Sequence, residues 1–95
     1  MVGSVLPLKR KTNTLLEALG AVITELRVKR GISYQHVAHR VGCDDSYLNK
    51  VEHGKKNPTV KLLQAIADFH QIELSRLFLL AERKRRNIDK QKPHA

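Results

Sequence analysis

The stretch Ser33–Gly54, SYQHVAHRVGCDDSYLNKVEHG, decides the fold. It reads as two short helices joined by a tight turn. Ser33 is suited to cap the first, because its hydroxyl can accept from a backbone N–H left without a partner in the first turn. Val37, Ala38 and Val41 then make one apolar stripe at helical spacing, and Gly42 supplies the left-handed residue that ends it. Asp44, two residues on, is suited to cap the second helix. Leu48 and Val51 form the inward face of that helix, and Gly54 closes it. So short a connection makes the two helices cross steeply instead of lying antiparallel. That arrangement is a helix-turn-helix, a motif whose second helix can enter the major groove of DNA.

Outward from this motif, the run Leu19–Phe78 resembles the lambda-repressor-like (Cro/repressor, XRE) helix-turn-helix family. The resemblance rests on L-G-x-x-I-x-x-L-R in Leu19–Arg27, G-I-S in Gly31–Ser33 and V-A-x-x-V-G in Val37–Gly42. It continues in S-Y-L-x-K-V-E-x-G-K-x-N-P-T in Ser46–Thr59, L-L-x-x-I-A in Leu62–Ala67 and I-x-L-x-x-L-F in Ile72–Phe78. The resemblance implies an all-α fold of five helices and a sequence-specific DNA-binding transcriptional regulator that acts as a homodimer. It also implies that Arg27 and Glu52 form a largely buried ion pair tying the first helix to the third.

The same resemblance gives Asp45, Ser46, Asn49 and Lys50 the base-reading positions. The chemistry of each side chain limits its target: Lys50 donates to guanine O6 or N7, Asn49 can bond a base edge or a phosphate, and an ionised Asp45 only accepts, which suits cytosine N4. The turn from His53 through Lys55, Lys56 and Asn57 carries donors for phosphate oxygens, which position a protein without reading sequence. Tyr34 and Tyr47 are further phosphate candidates. Many family members carry Gln where Tyr34 stands, and a phenol has one O–H to donate but lacks the amide's paired donor and acceptor.

Apolar spacing places the remaining helices. Leu15, Leu19, Val22, Ile23 and Leu26 make a helix to about Arg30, with Gly20 a weak point inside it. Thr59 caps a fourth helix carrying Leu62, Leu63, Ile66, Ala67 and Phe69, which ends near His70 and Gln71. A fifth runs from about Leu74 to about Arg86. Leu79 and Leu80 widen its apolar stripe beyond what one small domain needs, which makes them candidates for a dimer interface.

Charge is placed unevenly along the chain. The net charge is +9 over 95 residues. Up to Gly31 six basic residues face two acidic ones, and from Glu82 onward the same numbers recur, so each end carries +4. The middle, with six bases against five acids, is nearly neutral. Basic ends around a neutral module suit a polyanion such as double-stranded DNA. The chain divides accordingly into a basic N-terminal arm (1–13), a helix-turn-helix domain (14–82) and a basic C-terminal tail (83–95).

Other chemistries find little support. No paired carboxylates, nucleophile elbow or phosphate-binding glycine loop is present, so an enzyme is not expected. His36, His39 and Cys43 lie close in sequence, but no fourth ligand stands at zinc spacing, so neither a metal nor a cofactor is expected. One cysteine forms no internal disulfide, and no apolar run approaches the roughly 20 residues that span a bilayer. A cytoplasmic, nucleoid-associated protein without a small-molecule effector domain is the expectation. Three other readings share the pattern: a restriction–modification controller or an antitoxin, a non-catalytic protein-interaction module that has lost DNA binding, and a sequence-neutral nucleoid protein held by its tails.

Overall fold

The computed structural model describes residues 14–91; the expected N-terminal arm and the last four residues lie outside this range. Within it the chain forms five helices: α1 (Thr14–Lys29), α2 (Tyr34–Val41), α3 (Asp45–Glu52), α4 (Val60–Phe69) and α5 (Leu74–Gln91). The fold is all-α, as the apolar spacing and the family resemblance predict.

Local chemistry sets the helix ends. Ser33 Oγ accepts from the His36 N–H at 3.1 Å, and Thr59 Oγ1 accepts from Leu62 N–H at 3.0 Å. Asp44 Oδ2 accepts from the backbone of Ser46 and Tyr47. At the C-terminal ends of α1, α2, α3 and α4 one motif recurs. The N–H of Ile32, Cys43, Lys55 or Ile72 reaches back five residues to the carbonyl of Arg27, Ala38, Lys50 or Ala67, with a left-handed residue just before it. Gly31, Gly42 and Gly54 fill three of those left-handed places, and Gln71, at φ 60°, fills the fourth against its own preference.

The core collects one stripe from each helix: Ala18, Leu19, Val22 and Ile23; Val37 and Ala38; Leu48 and Val51; Leu63, Ile66 and Ala67; Leu77 and Ala81. Burying each of the larger side chains contributes about 1.5–3 kcal/mol. Leu15, Leu26, Leu62, Phe69 and Phe78 pack around this centre half-buried. Arg30 joins the C-terminal ends of α1 and α4: its Nη1 donates to the Phe69 carbonyl at 3.1 Å, and its guanidinium stacks 4.8 Å from the Phe69 ring centre.

Gly20 has a different role from the weak point its helix propensity suggests. A Cβ there would stand 2.5 Å from the carbonyl oxygens of both Val51 and Glu52. The backbones of α1 and α3 touch at this point, and only a residue without a side chain lets them.

α5 runs to Gln91 and passes the expected stop near Arg86, so it crosses the boundary drawn between domain and tail. Its buried residues are Leu77 and Ala81, followed by the half-buried Lys84 and Ile88. Lys84 holds its place by pairing with Glu25 of α1, and Arg85 bridges Glu82 and Asp89 along the helix. A run of charges thus continues the helix through ion pairs, a pattern that hydrophobic spacing does not register.

The two leucines expected at a dimer interface separate. Leu80 turns toward α1 and packs against the core beside Val22 and Leu26. Leu79 stands 41% exposed. Leu80 therefore belongs to the α1–α5 contact, because positions one apart on a helix point in directions about 100° apart.

Candidate nucleic-acid interface

The interface is built on a helix pinned from behind. Arg27 Nε donates to Glu52 Oε2 at 2.8 Å, and Nη2 donates to Oε1 at 2.9 Å. Arg27 Nη1 also donates to the Ile32 carbonyl at 2.9 Å. The Glu52 carboxylate is 3% exposed and the Arg27 side chain 15%. Hydrogen bonding to Glu52 holds the guanidinium pKa above its ordinary value, against the opposing effect of burial. One side chain from α1 thereby fixes the end of α3 and the loop that enters α2.

With Leu48 and Val51 buried, α3 presents Asp45, Ser46 and Lys50 to solvent, and Asn49 beside them half-buried. None of the four is tucked into the interior. The first turn is tightly organised. Asp44 Oδ2 lies 2.5 Å from Ser46 Oγ, and these contacts hold the Asp44 carboxyl below its ordinary range, the Ser46 hydroxyl contributing most.

Lys55, Lys56 and Asn57 are exposed on the loop after α3, while Pro58 is buried and anchors it. Tyr47 packs half-buried against the core, and its hydroxyl donates to the Asn57 carbonyl over a long 3.5 Å. His53 Nδ1 donates to the Asn49 carbonyl at 2.8 Å, so the ring is oriented by its own helix. Tyr34 opens α2 half-buried, and the Arg27 guanidinium lies 5.9 Å from its ring centre. In place of an amide bracing α3, Tyr34 supplies an aromatic wall to the Arg27–Glu52 pair.

Sequence reasoning missed three features that hold this surface. Gly54 has φ 72°, and a Cβ on it would lie 2.9 Å from Glu17 Cα, so the loop after α3 rests directly on the first turn of α1. The contact at Gly20 is the second, and its only signal was a glycine inside an apolar stripe. The third is a cluster around Phe69, which gathers Arg30, Arg40 (5.8 Å from the ring centre), His36 and His70. Its members come from the residue after α1, from α2 and from the end of α4, so no local pattern announces it.

His36 and His39 are exposed and Cys43 is half-buried, its thiol pKa raised chiefly by burial. Among the described residues no group of three or more His, Cys, Asp or Glu is placed to hold a metal ion. Among them, too, no helix is long and apolar enough to cross a membrane.

The Helix-turn-helix family model matches residues 23–77, from the middle of α1 into α5. The HTH-type transcriptional regulator SlrR of Bacillus subtilis (strain 168) is 34% identical over 61 residues. That match takes in 63% of this chain but 40% of SlrR, so the chain spans well under half the length of this relative. Among solved structures, the restriction-modification controller protein C.AhdI from Aeromonas hydrophila is 32% identical, with a TM-score of 0.63 over 65% of this chain and 94% of that one. The clp gene regulator ClgR from Corynebacterium glutamicum shares the fold at 24% identity, with a TM-score of 0.77 over 90% of this chain and 84% of its own.

Proposed function

The chain belongs to the Helix-turn-helix family, and from that premise we propose that it is a sequence-specific, double-stranded-DNA-binding transcriptional regulator. It binds an operator as a homodimer and performs no catalysis. One observation carries this reading: Asp45, Ser46, Asn49 and Lys50 share the outward face of a helix that the Arg27–Glu52 pair clamps to α1. A rigid helix with an exposed polar face is what a major groove accepts. Asp45, Ser46, Asn49 and Lys50 read bases, and Lys55, Lys56, Asn57 and His53 hold phosphates. Tyr34 and Tyr47 act mainly by shaping the surface around those contacts.

The basic segments 1–13 and 83–95, the second beginning within α5, add sequence-independent attraction to the duplex. Leu79 is the remaining apolar candidate for the dimer contact on α5. The protein acts in the cytoplasm, on the nucleoid. Two subunits present their α3 helices to half-sites roughly 34–36 Å apart, or a multiple of that.

A second reading, control of a restriction–modification operon, is favoured by the likeness to C.AhdI at 32% identity. It differs from the first in the genes regulated, and the neighbouring genes distinguish the two. Selection from random duplexes at moderate salt, with a mass measurement in solution, tests both. The expected result is an enriched two-fold-related motif bound by a dimer. Recovery of no motif overturns sequence-specific binding.

A further inference from the structure

The Ser46 hydroxyl has a single proton, and the structure places it inside the protein. Ser46 Oγ lies 2.5 Å from Asp44 Oδ2, the same oxygen that receives the backbone N–H groups of Ser46 and Tyr47. An oxygen holding those donors is an ionised carboxylate with no proton to return, so Ser46 is the donor and Asp44 the acceptor. The low carboxyl pKa of Asp44 agrees with this direction. What Ser46 Oγ turns outward is lone pairs. Asp45 beside it is exposed, and a carboxylate also only accepts. The outward side chains of the first turn of α3 therefore offer acceptors and no free proton. One turn later the chemistry inverts: Asn49 can do either, and Lys50 only donates.

Resting on the DNA-binding reading above, we infer that the first turn of α3 selects an exocyclic amino group, cytosine N4 or adenine N6, on the strand it faces, while Lys50 selects guanine. Every base pair carries one amino group in the major groove, on cytosine or on adenine. The selection therefore decides which strand of the pair bears cytosine or adenine. Asp45 and Asn49, like Ser46 and Lys50, are four residues apart, about 6 Å along the helix. That is about two base-pair steps at roughly 3.4 Å each. The half-site accordingly holds an amino-bearing base and, about two steps away, a guanine. The acceptor character at Ser46 depends on Asp44, a residue outside the base-reading set, which thus tunes specificity as a positioning residue.

The test is selection from random duplexes with the full chain and with Ser46→Ala, Asp45→Asn and Asp44→Gly. Thermal melting of each variant establishes that it folds; glycine is itself a tolerated N-cap residue. The position whose preference changes in Ser46→Ala or Asp45→Asn is the one the first turn contacts. A duplex lacking the amino group there, with purine for adenine or 2-pyrimidinone for cytosine, is expected to bind the unaltered protein about tenfold more weakly. That penalty shrinks in Ser46→Ala and Asp45→Asn. Asp44→Gly, which removes the acceptor and frees the Ser46 proton, admits guanine or thymine at the same position. An enriched motif with guanine or thymine facing the first turn in the unaltered protein overturns this inference and leaves base reading intact. So does a motif unchanged in all three variants, or an amino deletion without effect. Recovery of no motif by the unaltered protein overturns the DNA-binding reading itself.

Discussion

The Arg27 guanidinium and the Glu52 carboxylate, 25 residues apart, meet in two parallel hydrogen bonds of 2.8 and 2.9 Å. The carboxylate is almost wholly enclosed. Removing one partner strands the other. Glu52→Gln or Arg27→Met is expected to destabilise the protein by about 3 kcal/mol, at the lower end for a broken buried pair because Arg27 keeps some solvent. Paired replacement by apolar residues of similar volume costs far less. Urea denaturation of both singles and the double reads the difference, and equal losses in all three would refute a coupled pair.

Gly20 separates helix propensity from packing. Alanine is the better helix former by up to about 1 kcal/mol. Its methyl would nevertheless meet two carbonyl oxygens at 2.5 Å. Gly20→Ala is expected to lose about 1–3 kcal/mol, as overpacked sites do. A melting temperature that rises instead would show that α1 and α3 can slide apart freely.

Gln71 sits at φ 60°, where a side chain is strained. Gln71→Gly relieves that strain without removing a side-chain contact, since Gln71 is exposed. The gain is expected to be about 1 kcal/mol. For a chain of this size that raises the melting temperature by roughly 4–8 °C.

His70 gives stability a pH dependence. Burial, and secondarily Arg30, lower its pKa below the usual 6.5. Its Nδ1 lies 3.3 Å from Arg30 Nη1, and its buried Nε2 has no hydrogen-bond partner. A histidine kept neutral by the fold binds a proton more readily when unfolded. Its contribution is present above pH 6.5 and is lost as pH falls through the lowered folded value. Stability is expected to decline in that window, and His70→Gln to flatten the decline. A variant with an unchanged pH profile would exclude His70 as the cause.

The loop lysines and the helix lysine differ in what they do to binding. Lys55→Ala and Lys56→Ala should weaken all duplexes alike, each lowering the slope of log affinity against log salt by about 1. Lys50→Ala should cost about 1–3 kcal/mol on the preferred site and little elsewhere. Titrations at several salt concentrations on specific and scrambled duplexes separate the two behaviours.

Much of this protein is written locally. Ser33, Asp44 and Thr59 cap helices because a short oxygen-bearing side chain can reach its own backbone, and the inward stripes follow because helical residues three or four apart share a face. Those rules use neighbours in the chain, so the sequence alone determined the five helices and the outward set on α3. Contacts between helices obey no such neighbourhood rule. That Gly20 is a packing site, that Leu80 faces α1 while Leu79 faces solvent, that Lys84 extends α5 by reaching Glu25, and that Arg30 seals the end of α4 were decided only by the tertiary structure. Each depends on the distance between segments far apart in the chain, and close packing sets that distance to within a fraction of a side chain.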